Sequence, residues 1–271
     1  MSNTIAPIDN DALRRRFNPD GSLLRRQQER MLSILVEVDR ICRRHSIGYW
    51  LASGTLLGAM RHDGFIPWDD DVDIELMRDD YLRLMEILPD ELPTDMALQT
   101  STTDPNYFFC YAKVRDRRSR MSELNNYDRA WRERGIYIDI MPVERHPLWV
   151  HRFTELSFGH IYKIWRTSTD DAKAMSSIRR IYAFNTRVIY PVMRFISKLI
   201  PGRRHLLGMG IPYRTSRYRE EIFPLSTHVF EGHVFLVPHD ADAYLRNLYG
   251  DWTKLPHLDT VNTHVADIEI D

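Results

Sequence analysis

Ser53-Gly54-Thr55-Leu56-Leu57-Gly58-Ala59-Met60-Arg61-His62-Asp63-Gly64-Phe65-Ile66-Pro67-Trp68-Asp69-Asp70-Asp71-Val72-Asp73-Ile74-Glu75 sets a small-residue turn ahead of five carboxylates in seven positions. Carboxylates gathered this closely repel one another, and a bound divalent cation or nearby basic groups usually offset that repulsion. If Val72, Ile74 and Leu76 form the buried face of a strand, Asp71, Asp73 and Glu75 share the opposite face. Successive carboxylates then lie about 6.5–7 Å apart, and hard cations about 3.5–4 Å apart fit between the first two. All-oxygen ligands without a nearby cysteine favour Mg²⁺ or Mn²⁺ over zinc. An EF-hand-like calcium loop is excluded, because Ile74 stands where that loop needs its turn-making glycine. A solvated acidic turn would explain the charges alone. It does not explain Ile66, Pro67 and Trp68 before them or Val72, Ile74 and Leu76 among them.

Working upstream, Tyr49-Trp50-Leu51-Ala52 reads as a short strand that runs into Ser53-Gly54-Thr55. Glycine at 54 permits close backbone approach to a phosphate, and the Ser53 and Thr55 hydroxyls with the free N–H groups of a following helix can donate to it. Alone this is an ordinary turn. Coupled to a downstream Asp-x-Asp strand, it matches nucleotidyltransferase-type sites, in which small residues hold donor phosphates and aspartates hold metal.

Further along, 22–46 has apolar residues at three- and four-residue steps, with Ser22 as N-cap. A short helix is expected over 54–62 and a strand over 71–76. A helix follows over Asp79–Leu88 and is expected to stop before Pro89. Residues 107–115 and 136–141 read as strands, giving a mixed α/β core that ends near Pro142. In the second strand Ile136, Ile138 and Ile140 face the core, so Asp139 faces the Asp-x-Asp side if the two strands pair. Asp139 would then be a third carboxylate, holding metal or taking a proton from an attacking hydroxyl. Arg61 and Lys113 are candidates to bind donor phosphate, and His62, Asp69 and Asp70 are candidates to support the site from behind.

The stretch from Tyr49 to Tyr81 carries Gly-Thr-Leu-Leu-Gly-Ala, Arg61-His62, Gly64 to Asp71, Val72-Asp73-Ile74 and Arg78-Asp79-Asp80-Tyr81. It resembles the signature of the LicD family, which includes the fukutin-related proteins. Tyr111 to Asp116, Gly135 to Pro142, Phe230-Glu231-Gly232 and Tyr249-Gly250-Asp251 agree in order, so the resemblance spans about 25–256. It implies a nucleotidyltransferase-like α+β fold with a mixed sheet flanked by helices. It also implies transfer of a phosphorylated alcohol, such as phosphocholine or ribitol phosphate, from a CDP-linked donor to a saccharide or lipid-linked glycan. Glu231 and Asp251 fall in matching segments but receive no role.

The chain of 271 residues, 43% hydrophobic, is long enough for one core with a helical extension. The expected organisation is a polar tail at 1–20, a catalytic core at 21–145, a basic, aromatic-rich helical segment at 146–220, and a part at 221–271 that completes the catalytic domain. Two cysteines supply neither a metal framework nor a disulfide scaffold. The first 20 residues lack an apolar signal core, and no 18-residue uncharged apolar stretch occurs. A cytoplasmic location is therefore expected. The net charge of −1 conceals a division: His151 to Glu220 holds 14 Lys and Arg against 4 Asp and Glu, and the remainder is correspondingly acidic. Packing on the core explains the aromatics threaded through 148–200, and peripheral contact with the inner face of an anionic membrane explains their mixture with arginine. Nucleic acid is not expected as a partner, since no motif for it appears.

Overall fold

The computed structural model describes residues 9–123, 126–260 and 265–270. Residues 1–8 of the expected tail, and 261–264 and 271 of the expected C-terminal part, lie outside them. Helix α1 (Asn10–Phe17) is capped by Asp9, and α2 (Leu23–Arg44) by Ser22, whose hydroxyl accepts from the Arg25 amide. Strand β1 (Trp50–Leu51) leads into α3 (Ser53–His62), then β2 (Asp73–Met77), α4 (Arg78–Glu91), β3 (Met96–Gln99), β4 (Ala112–Asp116) and β5 (Ser119–Glu123). After β6 (Tyr137–Arg145) come three long helices, α5 (Leu148–Thr167), α6 (Asp171–Phe184) and α7 (Tyr190–Leu199), the last two joined by a π turn. Strand β7 (Arg204–Leu207), β8 (Arg217–Tyr218), α8 (Arg219–Ile222), the hairpin β9 (Ser226–Phe230) and β10 (His233–Val237), α9 (Ala241–Tyr249) and β11 (Val265–Ile270) follow.

Among the described residues, seven strands make one mixed sheet in the order β1-β2-β6-β4-β3, with β7 paired to β6 and β8 to β7. Only the β2–β6 pairing within it is parallel. The fold is α+β, as expected, with helices packed on a mixed sheet. Its core gathers Met31, Leu35 and Val38 of α2 with Ile74 and Leu76 of β2 and Ile138 and Ile140 of β6. Both faces of β2 are buried, so its apolar residues alternate with carboxylates that are themselves buried.

Three expectations need correction. Pro89 lies inside α4, which continues one turn to Glu91. Buried Leu88 anchors that turn, and the Leu92 amide closes it on the Leu88 carbonyl. Residues 107–111 are not strand: Tyr107, Phe108 and Phe109 leave the sheet to pack with Trp131, Phe158 and Trp165 in a second apolar cluster under α5 and α6. Strand β6 does not end at Pro142 but runs to Arg145, because its far end pairs with β7. In addition, residues 10–17, which the sequence reads only as polar tail, form α1 and bury Leu13.

Candidate active site

Strand register builds the centre of the site. Asp139 of β6 stands beside Asp73 of β2 on one side and Lys113 of β4 on the other, so the three occupy one row across adjacent strands. The Asp139 amide donates to the Val72 carbonyl at 2.8 Å, holding the row at the start of the β2–β6 pairing. Lys113 Nζ donates to Asp139 Oδ1 at 2.7 Å and lies 3.3 Å from the Tyr137 ring centroid. Burial pushes the Asp73 carboxyl well above its usual range, and the charges of Asp71, Asp139, Glu75 and Asp69 push it further. The expected carboxylates thus form one electrostatic group. Among the described residues, no three His, Cys, Asp or Glu side chains already converge as a ligand set for a metal ion.

Helix α3 supplies the second wall. Its first residue, Ser53, has φ of 46°, and Ala52 before it is extended. A Cβ on Gly54 would lie 2.7 Å from Asp69 Oδ2, so glycine here makes room for that carboxylate against the start of α3. The Thr55 hydroxyl accepts from the Asp73 amide at 2.8 Å, tying α3 to β2, and its own proton remains able to donate. From behind, buried Gln27 and Gln28 of α2 donate to the Asp70 and Asp69 carbonyls at 2.8 and 2.9 Å. These two amides fix the acidic loop through its backbone.

Arg61 donates Nη1 to the Trp252 and Lys254 carbonyls at 3.0 and 3.1 Å and Nε to His62 Nε2 at 3.0 Å. Burial lowers its pKa, while Asp69 and Tyr249 act in the other direction. His62 therefore carries its proton on Nδ1, toward Asn10 Oδ1 at 2.5 Å. Burial first, and then Arg61 and Arg14, bring its pKa down to about 4. It is a neutral link between α3 and α1.

Glu75 departs from the sequence expectation. It shares the face of Asp73 but is closed off by Arg217, which donates Nε to Oε2 at 2.7 Å and Nη2 to Oε1, and by the Tyr244 hydroxyl at 2.8 Å and Trp50 Nε1 at 3.3 Å. With every one of these groups buried, Glu75 belongs to a structural cluster. Glu231 also acquires a structural place. It accepts from Arg14 and Arg25 and from the Phe65 amide, and a Cβ on Gly64 would lie 2.2 Å from its Oε1. Asp251 holds Thr253 and Lys254 in the segment that receives Arg61.

Several contributors escape a reading of the motifs. Gln27 and Gln28 were legible in principle, since they lie four residues from Met31 and Leu24 on the stripe that α2 buries. Tyr213 has no comparable signal, whereas Tyr249 opens the matching segment Tyr249-Gly250-Asp251. Burial raises the pKa of each, and the charges of Asp73 and Asp71 raise it further, which places both tyrosines at the rim of the acidic group.

Residues 46–172 match the family model described as LicD/FKTN/FKRP, nucleotidyltransferase domain. The lipopolysaccharide cholinephosphotransferase LicD of Haemophilus influenzae is 28% identical over 254 residues, covering 86% of this chain and 92% of that protein. The ribitol 5-phosphate transferase FKRP of Homo sapiens is 53% identical over 34 residues, 12% of this chain and 7% of that one. An uncharacterised protein of Rickettsia prowazekii is 44% identical over 59 residues, 22% of each chain. The match runs across the strands that carry Asp73, Lys113 and Asp139, so these residues lie in the part of the chain that is similar to the nucleotidyltransferase domain of the LicD family.

Proposed function

We propose that this protein transfers a phosphorylated alcohol, of the phosphocholine or alditol phosphate type, from a CDP-linked donor to a saccharide or lipid-linked glycan at the cytoplasmic face of a membrane. The observation that carries this reading is the row Lys113, Asp139, Asp73 beside the Asp69–Asp71 loop. A buried lysine beside several carboxylates supports a site at which phosphate and a divalent cation would meet. The relatives named above act as cholinephosphotransferase and ribitol 5-phosphate transferase, which agrees with such a reaction.

The donor set fits Mg²⁺ or Mn²⁺ in kind: the carboxylates are all oxygen, and the like-charge burden on Asp73 is one that a dication relieves. Asp71, Asp73 and Asp139 would hold the ion, which would neutralise charge on the donor diphosphate and on departing CMP. Phosphoryl transfer asks little else of a protein than positioning and charge stabilisation. Ser53, Gly54 and Thr55 at the start of α3, with Arg61 and Lys113, are the groups for the donor phosphates. Asp139, held through Oδ1 by Lys113, would take the acceptor hydroxyl proton as the new O–P bond forms and the bond to CMP breaks.

Purified protein incubated with CDP-linked alcohols and Mg²⁺ should release CMP. Asp71→Asn and Asp73→Asn should each abolish that release while thermal unfolding shows an intact fold. Near-normal turnover in either variant would remove that residue from the metal site, and release of pyrophosphate instead of CMP would replace the reaction by nucleotidyl transfer.

A further inference from the structure

The aromatic residues of 148–200 divide into two populations. Phe158, Trp165 and Tyr190 are buried, whereas Trp149, Phe153, Phe184 and Phe195 are exposed. The exposed set continues in Leu156, Val188, Val192 and Leu199, with Leu156 and Leu199 at 74% and 70%. On the α6–α7 arm, residues 184, 188, 192, 195 and 199 follow three- and four-residue steps and so share one side of the helix. That side points away from the protein. The opposite side is fixed inward by Tyr190, packed with Val150 and Met209, and by Arg194, which donates Nε to Glu144 Oε2 at 2.6 Å. An ordinary surface helix turns its apolar stripe to the core; α7 turns an apolar stripe outward, and an exposed apolar patch of this kind marks an interaction surface.

We propose that the outward faces of α5 and α7 dock on a bilayer that contains anionic lipid, with the helices lying in the headgroup region. The charge around the stripe selects this occupant. Arg152, Arg179, Arg180, Arg187 and Lys198 are exposed on the same helices. Of the few acids nearby, Glu155 pairs with Arg214 and Asp171 with Arg129. Trp and Phe bodies with basic side chains that reach past them suit the interface between acyl chains and anionic headgroups. A second copy of the chain would bring like-charged Arg187 and Lys198 together across a two-fold axis. No helix among the described residues is long and apolar enough to cross a membrane, so docking is peripheral.

The same face borders a groove of about 780 Å³, which shares Leu156 with it and continues along Tyr162, Lys163 and Arg166 to Pro212 and Arg214, which flank Tyr213. A docked molecule would therefore present this basic, partly apolar groove beside the bilayer surface.

Co-sedimentation with vesicles of phosphatidylcholine mixed with phosphatidylglycerol tests the proposal without any turnover assay, so its outcome is independent of the reaction assigned above. Binding should exceed that to phosphatidylcholine alone and fall as salt rises, since exposed cations are screened over roughly 8–10 Å. Phe195→Ser with Leu199→Ser should weaken it at least ~10-fold, and Arg187→Glu with Lys198→Glu should weaken it and flatten its salt dependence. All four side chains are exposed, so both double variants should unfold at the wild-type temperature. The emission of Trp149 should shift to the blue on vesicles, and Trp149→Phe should remove that shift. Equal recovery with both vesicle types, or unchanged binding by both double variants, overturns the proposal. So does a concentration-dependent dimer in sedimentation that Phe195→Ser with Leu199→Ser abolishes while vesicles bind nothing.

Discussion

Asp73 and Glu75 stand two residues apart on one face of β2, Glu75 fully buried and Asp73 9% exposed, and differ in how their charge is met. Glu75 is enclosed by Arg217, Tyr244 and Trp50, so its charge is fully answered inside the protein. Asp73 faces Asp139 and the Asp69–Asp71 loop, where neighbouring carboxylates add to the penalty of burial. A buried acid with its partners built in contributes to the fold, whereas one surrounded by its own kind stores a demand for a cation. A strand pattern cannot separate the two. The residues that do so, Arg217 and Tyr244, come from the last quarter of the chain.

The strongest test of that contrast removes Arg217. Arg217→Met leaves Glu75 buried without its charge partner, and such losses typically cost about 3–5 kcal/mol. Chemical denaturation should show a drop of that size, and the double variant with Glu75→Gln should recover much of it. A loss below about 1 kcal/mol would mean that Glu75 finds water and that the contrast is overstated.

Next in size is Asp139→Asn, expected to lower turnover at least ~10²-fold, or about 2.7 kcal/mol. If Asp139 acts mainly on the acceptor proton, calorimetric titration of the CDP-linked donor with Mg²⁺ should change far less. If donor and metal affinity vanish together, Asp139 is a metal ligand first.

Asp73→Asn should act on stability in the opposite direction from Arg217→Met. The folded-state pKa of Asp73 lies above the unfolded value of about 3.9. Ionisation therefore penalises the fold as pH rises above that value, and the full penalty is present above the folded pKa. Without added metal, Asp73→Asn should raise the Tm at neutral pH, by about 2–4 °C for each kcal/mol relieved. The gain should disappear near pH 3. A lower Tm at neutral pH would show that Asp73 is needed for packing.

The smallest expected effect is the acid limb that His62 contributes. Its pKa falls to about 4 in the fold from about 6.5 in the unfolded chain. Stability should therefore be lost as pH drops from about 6.5 to about 4, where Asp73 shifts it the other way. His62→Gln should flatten that limb in thermal unfolding followed from pH 7 to 4.

Much of the central sheet was readable because local pattern and long-range pairing agree there. The alternation in Ile136-Tyr137-Ile138-Asp139-Ile140 and the apolar phase of Val72, Ile74 and Leu76 became β6 and β2, and register then set Asp73 beside Asp139. Tyr107 to Phe109 failed for a physical reason: a run of aromatics has strand propensity, yet here a second cluster offered more burial than the sheet edge. The positive balance of 151–220 also misled in part. Arg217 is buried against Glu75 and half-buried Arg194 is paired with Glu144, so fewer of those cations are free at the surface than the count suggests. The inward turn of Glu75 could not be read, because nothing near it in sequence announces Arg217.

Glu231 reaches back across the chain to Arg14, Arg25 and the Phe65 amide, and the carbonyls of Trp252 and Lys254 receive Arg61. The acidic motif is thus spelled out by residue 75, with Lys113 and Asp139 following, but it is clamped by residues that leave the ribosome some 150 to 180 positions after it. A nascent chain holding the whole acidic motif still lacks the latch that fixes it, and closing so long a loop is slow and entropically unfavourable. Release of fragments of increasing length should therefore give no metal response until residue 254 is included. The protein would then be kept from gathering cations on its carboxylates before its last helix is in place.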